Sequence, residues 1–190
     1  MRDFSKIVRI MRKYYLGLDC STQSITALVL EQEREGDAAS TRILLEKSLN
    51  FDASYPEFGT RNGVLPAEPG HAHTPPQLWV CALEDVLEAL KKEGIPFHEI
   101  VSIGTSGQQH GSVYLNASAE SKLASLDPKR ALAEQVESIY SRKTSPIWMD
   151  ATTSEECREI TQSLGGDEAV CGLTGSRCFE RFTGPQIRKF

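Results

Sequence analysis

The alternation of apolar and polar positions predicts two antiparallel strands joined by a short turn near the start of the chain. Between residues 14 and 30, an apolar run ends at Asp19, a few small or polar residues follow, and a second β-rich run completes the segment. Such a turn leaves the backbone N–H groups of Ser21, Thr22 and Gln23 free to face an anion, with the Asp19 carboxylate beside them. We therefore predict a phosphate-binding loop in which Asp19 also holds magnesium, directly or through water.

The segments that follow predict the rest of an α/β layer. Residues 41–51 alternate enough to form a third strand, after a polar connecting loop at residues 31–40. Thr74 is predicted to be the N-cap, and Pro75 the first residue, of an amphipathic helix. Residues 100–103 predict a short buried strand. The order of three strands, a helix and a strand indicates a mixed sheet.

Two glycine-rich segments predict loops. Residues 52–74 carry glycine and proline throughout and predict a long ordered loop or flap. Residues 104–111 lie between the fourth strand and a further predicted strand at residues 112–115. Their glycines let the backbone approach a ligand, and Gln109 and His110 offer donors and acceptors suited to sugar hydroxyls. Two alternatives stay open here: ligand contact, or a hairpin whose histidine satisfies a backbone carbonyl.

The second half of the chain adds two candidate positions. Residues 146–150 return to strand character and end in Asp150, which could contact a ligand or cap the next helix. Residues 153–156 predict a capping box for that helix. Arg181 lies between two aromatic residues, and it could either pair with Glu180 or donate to ligand oxygens.

The chain ends soon after a predicted helix start. Thr183 and Pro185 are typical of the first turn of a helix, and no capping residue follows before the last residue. A natural domain rarely stops at such a place. We therefore expect the chain to be a fragment of a longer protein.

Composition and charge narrow the classes of protein. The 190 residues fit one domain or one lobe of a larger protein, and 39% hydrophobic with 25% charged residues is typical of soluble globular chains. A net charge of −5 gives no support to a nucleic acid partner, and no apolar run is long enough to span a membrane. The five cysteines are never spaced as Cys-x-x-Cys, which favours a reducing compartment.

The first thirteen residues are basic with interleaved apolar positions. We predict that residues 1–13 are a tail and that residues 14–190 form one lobe. A short organelle-targeting helix is the alternative, but transit peptides are usually longer and richer in serine, so a cytoplasmic location is predicted.

Motifs in a consistent order resemble the FGGY carbohydrate kinases, and among them the eukaryotic-type xylulose kinases. They are Leu-Gly-Leu-Asp-Cys-Ser-Thr-Gln at 16–23, Tyr-Pro-Glu-Phe-Gly-Thr at 55–60, Gly-Gln-Gln-His-Gly at 107–111, Ile-Trp-Met-Asp at 147–150, and Leu-Thr-Gly-Ser-Arg at 173–177 followed by Phe-Glu-Arg-Phe-Thr-Gly at 179–184. This resemblance implies an RNase H-like α/β lobe of the actin, heat-shock ATPase and sugar kinase superfamily. Its mixed sheet would have three antiparallel first strands and flanking helices.

The same resemblance implies a reaction. Such kinases have two lobes, bind the sugar between them and move the γ-phosphoryl group of magnesium-ATP onto a sugar hydroxyl, which is the 5-hydroxyl of D-xylulose for xylulose kinases. The implied ligands are therefore D-xylulose or a related ketose, ATP and Mg²⁺. Implied sugar-binding residues are His110, Arg181, Gln109 and Asp150; the implied phosphate and magnesium residues are Asp19, which is also catalytic, and Ser21, Thr22 and Gln23.

The resemblance also implies what the chain lacks. In this family the general base is an aspartate of the second half, so we expect the 190-residue chain to have no turnover without the missing C-terminal lobe. Cys20 and Ser21 stand where many relatives have glycine. A kinase for ribulose or glycerol, and a non-catalytic lobe with a binding role, are the alternatives.

Overall fold

The computed structural model describes residues 11–36 and 38–190. Strands β1 (Met11–Cys20), β2 (Ser24–Glu35) and β3 (Ala38–Asn50) pair in sequence as antiparallel neighbours, whereas β5 (Ile100–Gly107) runs parallel to β1. The strand order in this main sheet is β3-β2-β1-β5. The predicted mixed sheet with three antiparallel first strands is therefore confirmed.

Strands β2 and β3 are longer than predicted, and the predicted loop at residues 31–40 is wrong. The strands continue to a tight turn at Gly36, which has a φ of 59°. Polar residues can extend the two strands because the buried carboxylate of Glu31 has hydrogen-bond partners. Its carboxylate accepts hydrogen bonds from Tyr14 Oη (3.1 Å) and Arg42 Nε (2.6 Å). Since β1 begins at Met11, the predicted basic tail overlaps this strand, while residues 1–10 lie outside the described residues.

The long loop between β3 and the next helix is ordered, and Asp52 organises it. The loop contains α1 (Phe51–Ser54), a 3-10 turn (Pro56–Phe58) and β4 (His73–Thr74). Asp52 accepts hydrogen bonds from Thr60 Oγ1 (2.7 Å) and from the N–H groups of Asn62 (2.5 Å) and Gly63 (3.1 Å). The predicted long ordered loop is confirmed, with short elements inside it.

Helix α2 (Pro76–Lys92) packs its apolar face on the sheet. Its N-cap is Pro75, one residue later than predicted, because Thr74 belongs to β4 and donates to Gly63 O (2.7 Å). The core includes buried residues of α2, the sheet and α1: Leu78, Ala82, Val86 and Leu90 with Leu16, Ile25, Ala27, Val29 and Phe51.

Strand β5 is not the buried strand that the apolar pattern predicted. It lies at the edge of the sheet, with Val101 54% and Ile103 60% exposed. Its hydrogen bonds continue into the glycine-rich segment as far as Gly107, so of residues 104–111 only 108–111 lie in a loop. The predicted strand at residues 112–115 is absent from the described residues; a single bridge joins Leu115 to Tyr140.

The second half of the described chain contains short helices: α3 (Ala119–Ala124), α4 (Leu132–Val136), a 3-10 turn (Glu137–Ile139), α5 (Ser154–Ser163), α6 (Asp167–Thr174) and α7 (Thr183–Lys189). Helix α7 starts at Thr183 as predicted. The capping box predicted for α5 is wrong, because Thr153 Oγ1 donates to Glu180 O (2.5 Å) instead of capping the helix. Within residues 11–36 and 38–190, no helix has the length and apolar character needed to cross a membrane.

The strand predicted at residues 146–150 is mostly a turn. Strand β6 covers only Ser145–Pro146 and pairs with β4. The N–H of Asp150 then bonds to Ile147 O (2.9 Å), which closes the turn. Asp150 therefore lies in the turn before α5 and not at a strand end.

Candidate functional site

The candidate site begins where the parallel strands β1 and β5 end side by side. Asp19 and Ser106 are register partners across this pair. The Asp19 carboxylate accepts hydrogen bonds from Ser106 Oγ and Ser21 Oγ, each at 2.5 Å. Because both bonds favour the charged form, the pKa of Asp19 is held below its ordinary value. An ionised carboxylate thus stands at the carboxyl edge of the sheet, where α/β proteins commonly bind ligands.

The turn after β1 is only partly open to a ligand. The Ser21 N–H donates to Ser24 O (2.9 Å), so the prediction that it is free is wrong. Within the described part of the chain, the N–H groups of Thr22 and Gln23 have no such acceptor. A serine fits position 21 because positive φ among described non-glycine residues occurs only at Asn62 and His110.

Two neighbours hold this turn from outside. Trp148 Nε1 donates to Thr22 Oγ1 at 3.0 Å and thereby ties the turn to the segment before Asp150. Gly63 of the long loop approaches so closely that a Cβ there would lie 1.8 Å from Thr22 O. Only glycine allows this approach, and the φ of 76° at Gly63 also favours glycine. The turn is therefore preorganised by residues far away in the sequence.

A cavity of about 420 Å³ opens beside the turn. His110 has a φ of 58°, and its ring lies 4.9 Å from the ring of Phe182 between centroids. The Arg181 guanidinium lies over two rings, 5.7 Å from Phe179 and 5.8 Å from Phe182. The cavity is lined by Ser21, Thr22, Gly107, Gln108, Gln109, His110, Trp148 and Arg181.

The cavity brings together five of the predicted site residues: Ser21, Thr22, Gln109, His110 and Arg181. Asp19 lines a neighbouring cavity of about 550 Å³ over the open sheet face, together with Ser106. Gln23 and Asp150 are absent from the described lining of both cavities. The turn and the two sugar-side loops therefore meet, whereas Asp150 is outside the described lining of the cavity.

Asp150 is a buried hydrogen-bond acceptor. Asp150 is only 1% exposed. Its Oδ1 accepts hydrogen bonds from Thr152 N (3.1 Å), Thr152 Oγ1 (2.7 Å) and Gln186 Nε2 (3.0 Å). Oδ2 accepts from Ala72 N (3.1 Å) and lies 3.3 Å from His73 Nε2. Burial acts to raise the pKa of Asp150, but these hydrogen bonds outweigh it and the pKa falls below its ordinary value.

Sequence reasoning missed the roles of Trp148 and Ser106. Trp148 is 43% exposed at the cavity wall and donates to the turn, and Ser106 donates to Asp19. Trp148 lies in the motif at residues 147–150, and Ser106 lies in the glycine-rich segment at residues 104–111, but neither residue was predicted to hold the turn or Asp19. The pairing of Ser106 with Asp19 follows from strand register, which the sequence does not display.

The chemistry of the cavity suits binding of a polyol. Hydroxyl, amide and imidazole groups can donate to and accept from sugar hydroxyls, and Arg181 supplies positive charge for an anionic oxygen. None of the described lining residues is a carboxylate.

Comparisons with known proteins agree with this geometry. No protein-family model matches the chain. It is 41% identical over 177 residues to xylulose kinase 2 of Arabidopsis thaliana, which covers 92% of this chain and 30% of that protein. The chain is homologous to one part of the xylulose kinases. Xylulose kinase of Rattus norvegicus is 38% identical over 188 residues, covering 95% of this chain and 33% of the rat protein. The chain thus spans about a third or less of the length of these relatives.

The comparison with solved structures agrees with the comparison of sequences. The crystal structure of xylulose kinase from Rhodospirillum rubrum matches with a TM-score of 0.63 at 18% identity, over 93% of this chain and 28% of that one. At that identity the match shows the fold alone. The predicted sugar-kinase fold, and the relationship to carbohydrate kinases, are confirmed.

Proposed function

We propose that this chain is the sugar-binding N-terminal lobe of an ATP-dependent xylulose kinase that converts D-xylulose to D-xylulose 5-phosphate. One observation carries the proposal. His110, Arg181 and the turn residues Ser21 and Thr22 converge on one cavity, in a chain about 40% identical to xylulose kinases. Free cysteines throughout the described residues fit a cytoplasmic enzyme.

The residues divide into a sugar side and a phosphate side. Gln109, His110 and Arg181 would contact the ketose hydroxyls, since their polar groups line the cavity and the aromatic rings hold Arg181 in place. The N–H groups of Thr22 and Gln23 would face the phosphates. Together they would orient the sugar with respect to the phosphoryl donor, which is the main task of a protein in phosphoryl transfer.

The site fits a magnesium ion at Asp19. The carboxylate there is ionised, and its present partners are hydroxyl groups of Ser21 and Ser106, which can turn away or donate through water. Magnesium favours such carboxylates and keeps several of its waters. When bound, it supplies positive charge that neutralises the phosphate oxygens.

The chain would need a second lobe for chemistry. Among the described residues no carboxylate lines the cavity, and the chain spans only about 30% of its Arabidopsis relative. We therefore expect the 190-residue chain to bind D-xylulose weakly and to release no ADP from magnesium-ATP. A polypeptide that also contains the second lobe should turn over.

Calorimetric titration with D-xylulose tests the sugar side directly. His110→Ala should abolish measurable binding to the 190-residue chain, whereas His98→Ala, at an exposed histidine outside the cavity, should leave it unchanged. Equal binding by both variants would contradict the proposal. Tighter binding of D-ribulose or glycerol than of D-xylulose would favour a sister kinase, and ADP release by the 190-residue chain would disprove the need for a second lobe.

A further inference from the structure

A group of potential metal ligands lies outside the cavity, beside β4 and β6. His71, His73 and Asp150 each offer one ligand atom, and these atoms lie within 4.8 Å of one another. None of the three lines the sugar cavity. The histidines come from the long loop before α2 and the aspartate from the turn before α5, so only the fold brings them together.

The backbone already holds these two segments in register. Ile147 N donates to Ala72 O (3.0 Å), and Ala151 N donates to Gly70 O (2.8 Å). Ala72 N donates in turn to Asp150 Oδ2 (3.1 Å). These bonds flank the ligand positions on both segments, so the backbone holds the two segments together without an ion.

The geometry of His73 and Asp150 suits a tetrahedral ion. Zinc binds nitrogen and oxygen at about 2.0–2.2 Å, so two of its tetrahedral ligands lie about 3.3–3.5 Å apart. The distance from His73 Nε2 to Asp150 Oδ2 is 3.3 Å. Asp150 Oδ1 takes three donors, whereas Oδ2 takes one backbone donor and keeps a lone pair for a cation.

A second partner orients the His73 ring. Thr144 Oγ1 lies 2.9 Å from His73 Nδ1, which leaves Nε2 to face Asp150. Histidines that bind metals almost always engage their other ring nitrogen in this way.

His71 completes the set from the exposed side. Its ring centroid lies 6.1 Å from that of His73, and its side chain is exposed, so it can turn toward the ion without disturbing the core. The neighbouring cation Arg142 stacks over Phe190 at 4.4 Å and does not pair with Asp150. Its charge would weaken binding of a cation without occupying the ligand positions.

We propose that His71, His73 and Asp150 form a binding site for a divalent transition-metal ion, zinc by its donor set, with water as the fourth ligand. The ion would cross-link the loop before α2 to the turn before α5. Since that turn also carries Trp148, which holds Thr22, the ion would stabilise one wall of the sugar cavity from behind.

Calorimetric titration of the 190-residue chain with zinc chloride tests the proposal. The expected result is one saturable site in the unaltered chain and in His98→Ala, and loss of that site in His71→Ala. Thr144→Val, which keeps all three ligands, should weaken zinc binding by about 10- to 100-fold. His71 and His98 are both exposed, so neither variant should disturb folding.

A thermal unfolding series with and without zinc provides the second readout. Zinc should raise the Tm of the unaltered chain and of His98→Ala, but not of His71→Ala. Absence of saturable binding to the unaltered chain would overturn the proposal. So would binding of equal strength in His71→Ala, because the ion would then be held without His71.

Discussion

Asp19 and Asp150 look alike in the sequence, but the structure gives them different roles. Each follows an apolar run and precedes small polar residues. Asp19 is partly exposed at the end of β1, where its partners are the hydroxyls of Ser21 and Ser106. Asp150 is buried in a turn, where its partners include the backbone N–H groups of Ala72 and Thr152.

The two carboxylates differ in which hydrogen-bond donors they can exchange for a ligand. Serine hydroxyls rotate, so Asp19 can exchange them for water or a ligand at little cost. Asp150 cannot give up its backbone donors without leaving buried N–H groups unpaired, which costs about 1–3 kcal/mol for each group. Asp19 is therefore suited to bind a ligand that comes and goes, and Asp150 to hold the fold or a resident ion.

The largest effect is expected from Asp150→Asn. The amide would place an N–H₂ group against buried donors, so the free energy of unfolding should fall by about 3 kcal/mol. Asp19→Asn serves as the matched control and should change it by about 1 kcal/mol or less. Urea denaturation of the 190-residue chain measures both. Equal losses would show that the two carboxylates are structural to the same degree.

Activity should show the opposite order. In a two-lobed enzyme that contains this chain, Asp19→Asn should lower kcat about 100-fold, because several kcal/mol of charge stabilisation would depend on the metal at this carboxylate. The measurement is ADP release with saturating D-xylulose and magnesium-ATP. A kcat within about twofold of the unaltered enzyme would remove Asp19 from the magnesium site.

Gly63→Ala tests whether the long loop positions the turn. Both Gly63 and Gly59 have positive φ, but an added Cβ meets Thr22 O at 1.8 Å only at Gly63, and nothing within 4 Å at Gly59. Gly59→Ala should cost about 1–2 kcal/mol for the left-handed backbone alone. Gly63→Ala should cost about 1 kcal/mol more, because the loop must move off the turn. Similar unfolding free energies for the two variants would show that the contact is unimportant.

The smallest effect is expected at the hydrogen bond between Trp148 and Thr22. Trp148→Phe and Thr22→Val each remove one partner of the 3.0 Å bond while keeping most of the side-chain volume. A double-mutant cycle in urea should give a coupling free energy of about 1 kcal/mol. A coupling near zero would mean that the turn keeps its position without Trp148.

The sequence by itself determined the antiparallel strands and helix α2. Alternation over residues 14–30 and 41–51 predicted the antiparallel strands, and helical spacing predicted α2, because each pattern reflects one buried face. The motifs at His110 and Arg181 named residues that the fold then brought to one cavity. Local patterns carry such information because they depend on neighbours along the chain.

Burial and pairing were decided only by the tertiary structure. The apolar β5 lies at an exposed edge of the described sheet, and the polar residues 31–35 form strand because Glu31 finds Tyr14 and Arg42 across it. Asp19 and Asp150 differ for the same reason. Whether a carboxylate faces a cavity or buried backbone donors depends on which distant segments pack against it. The sequence of a single strand or turn does not specify those segments.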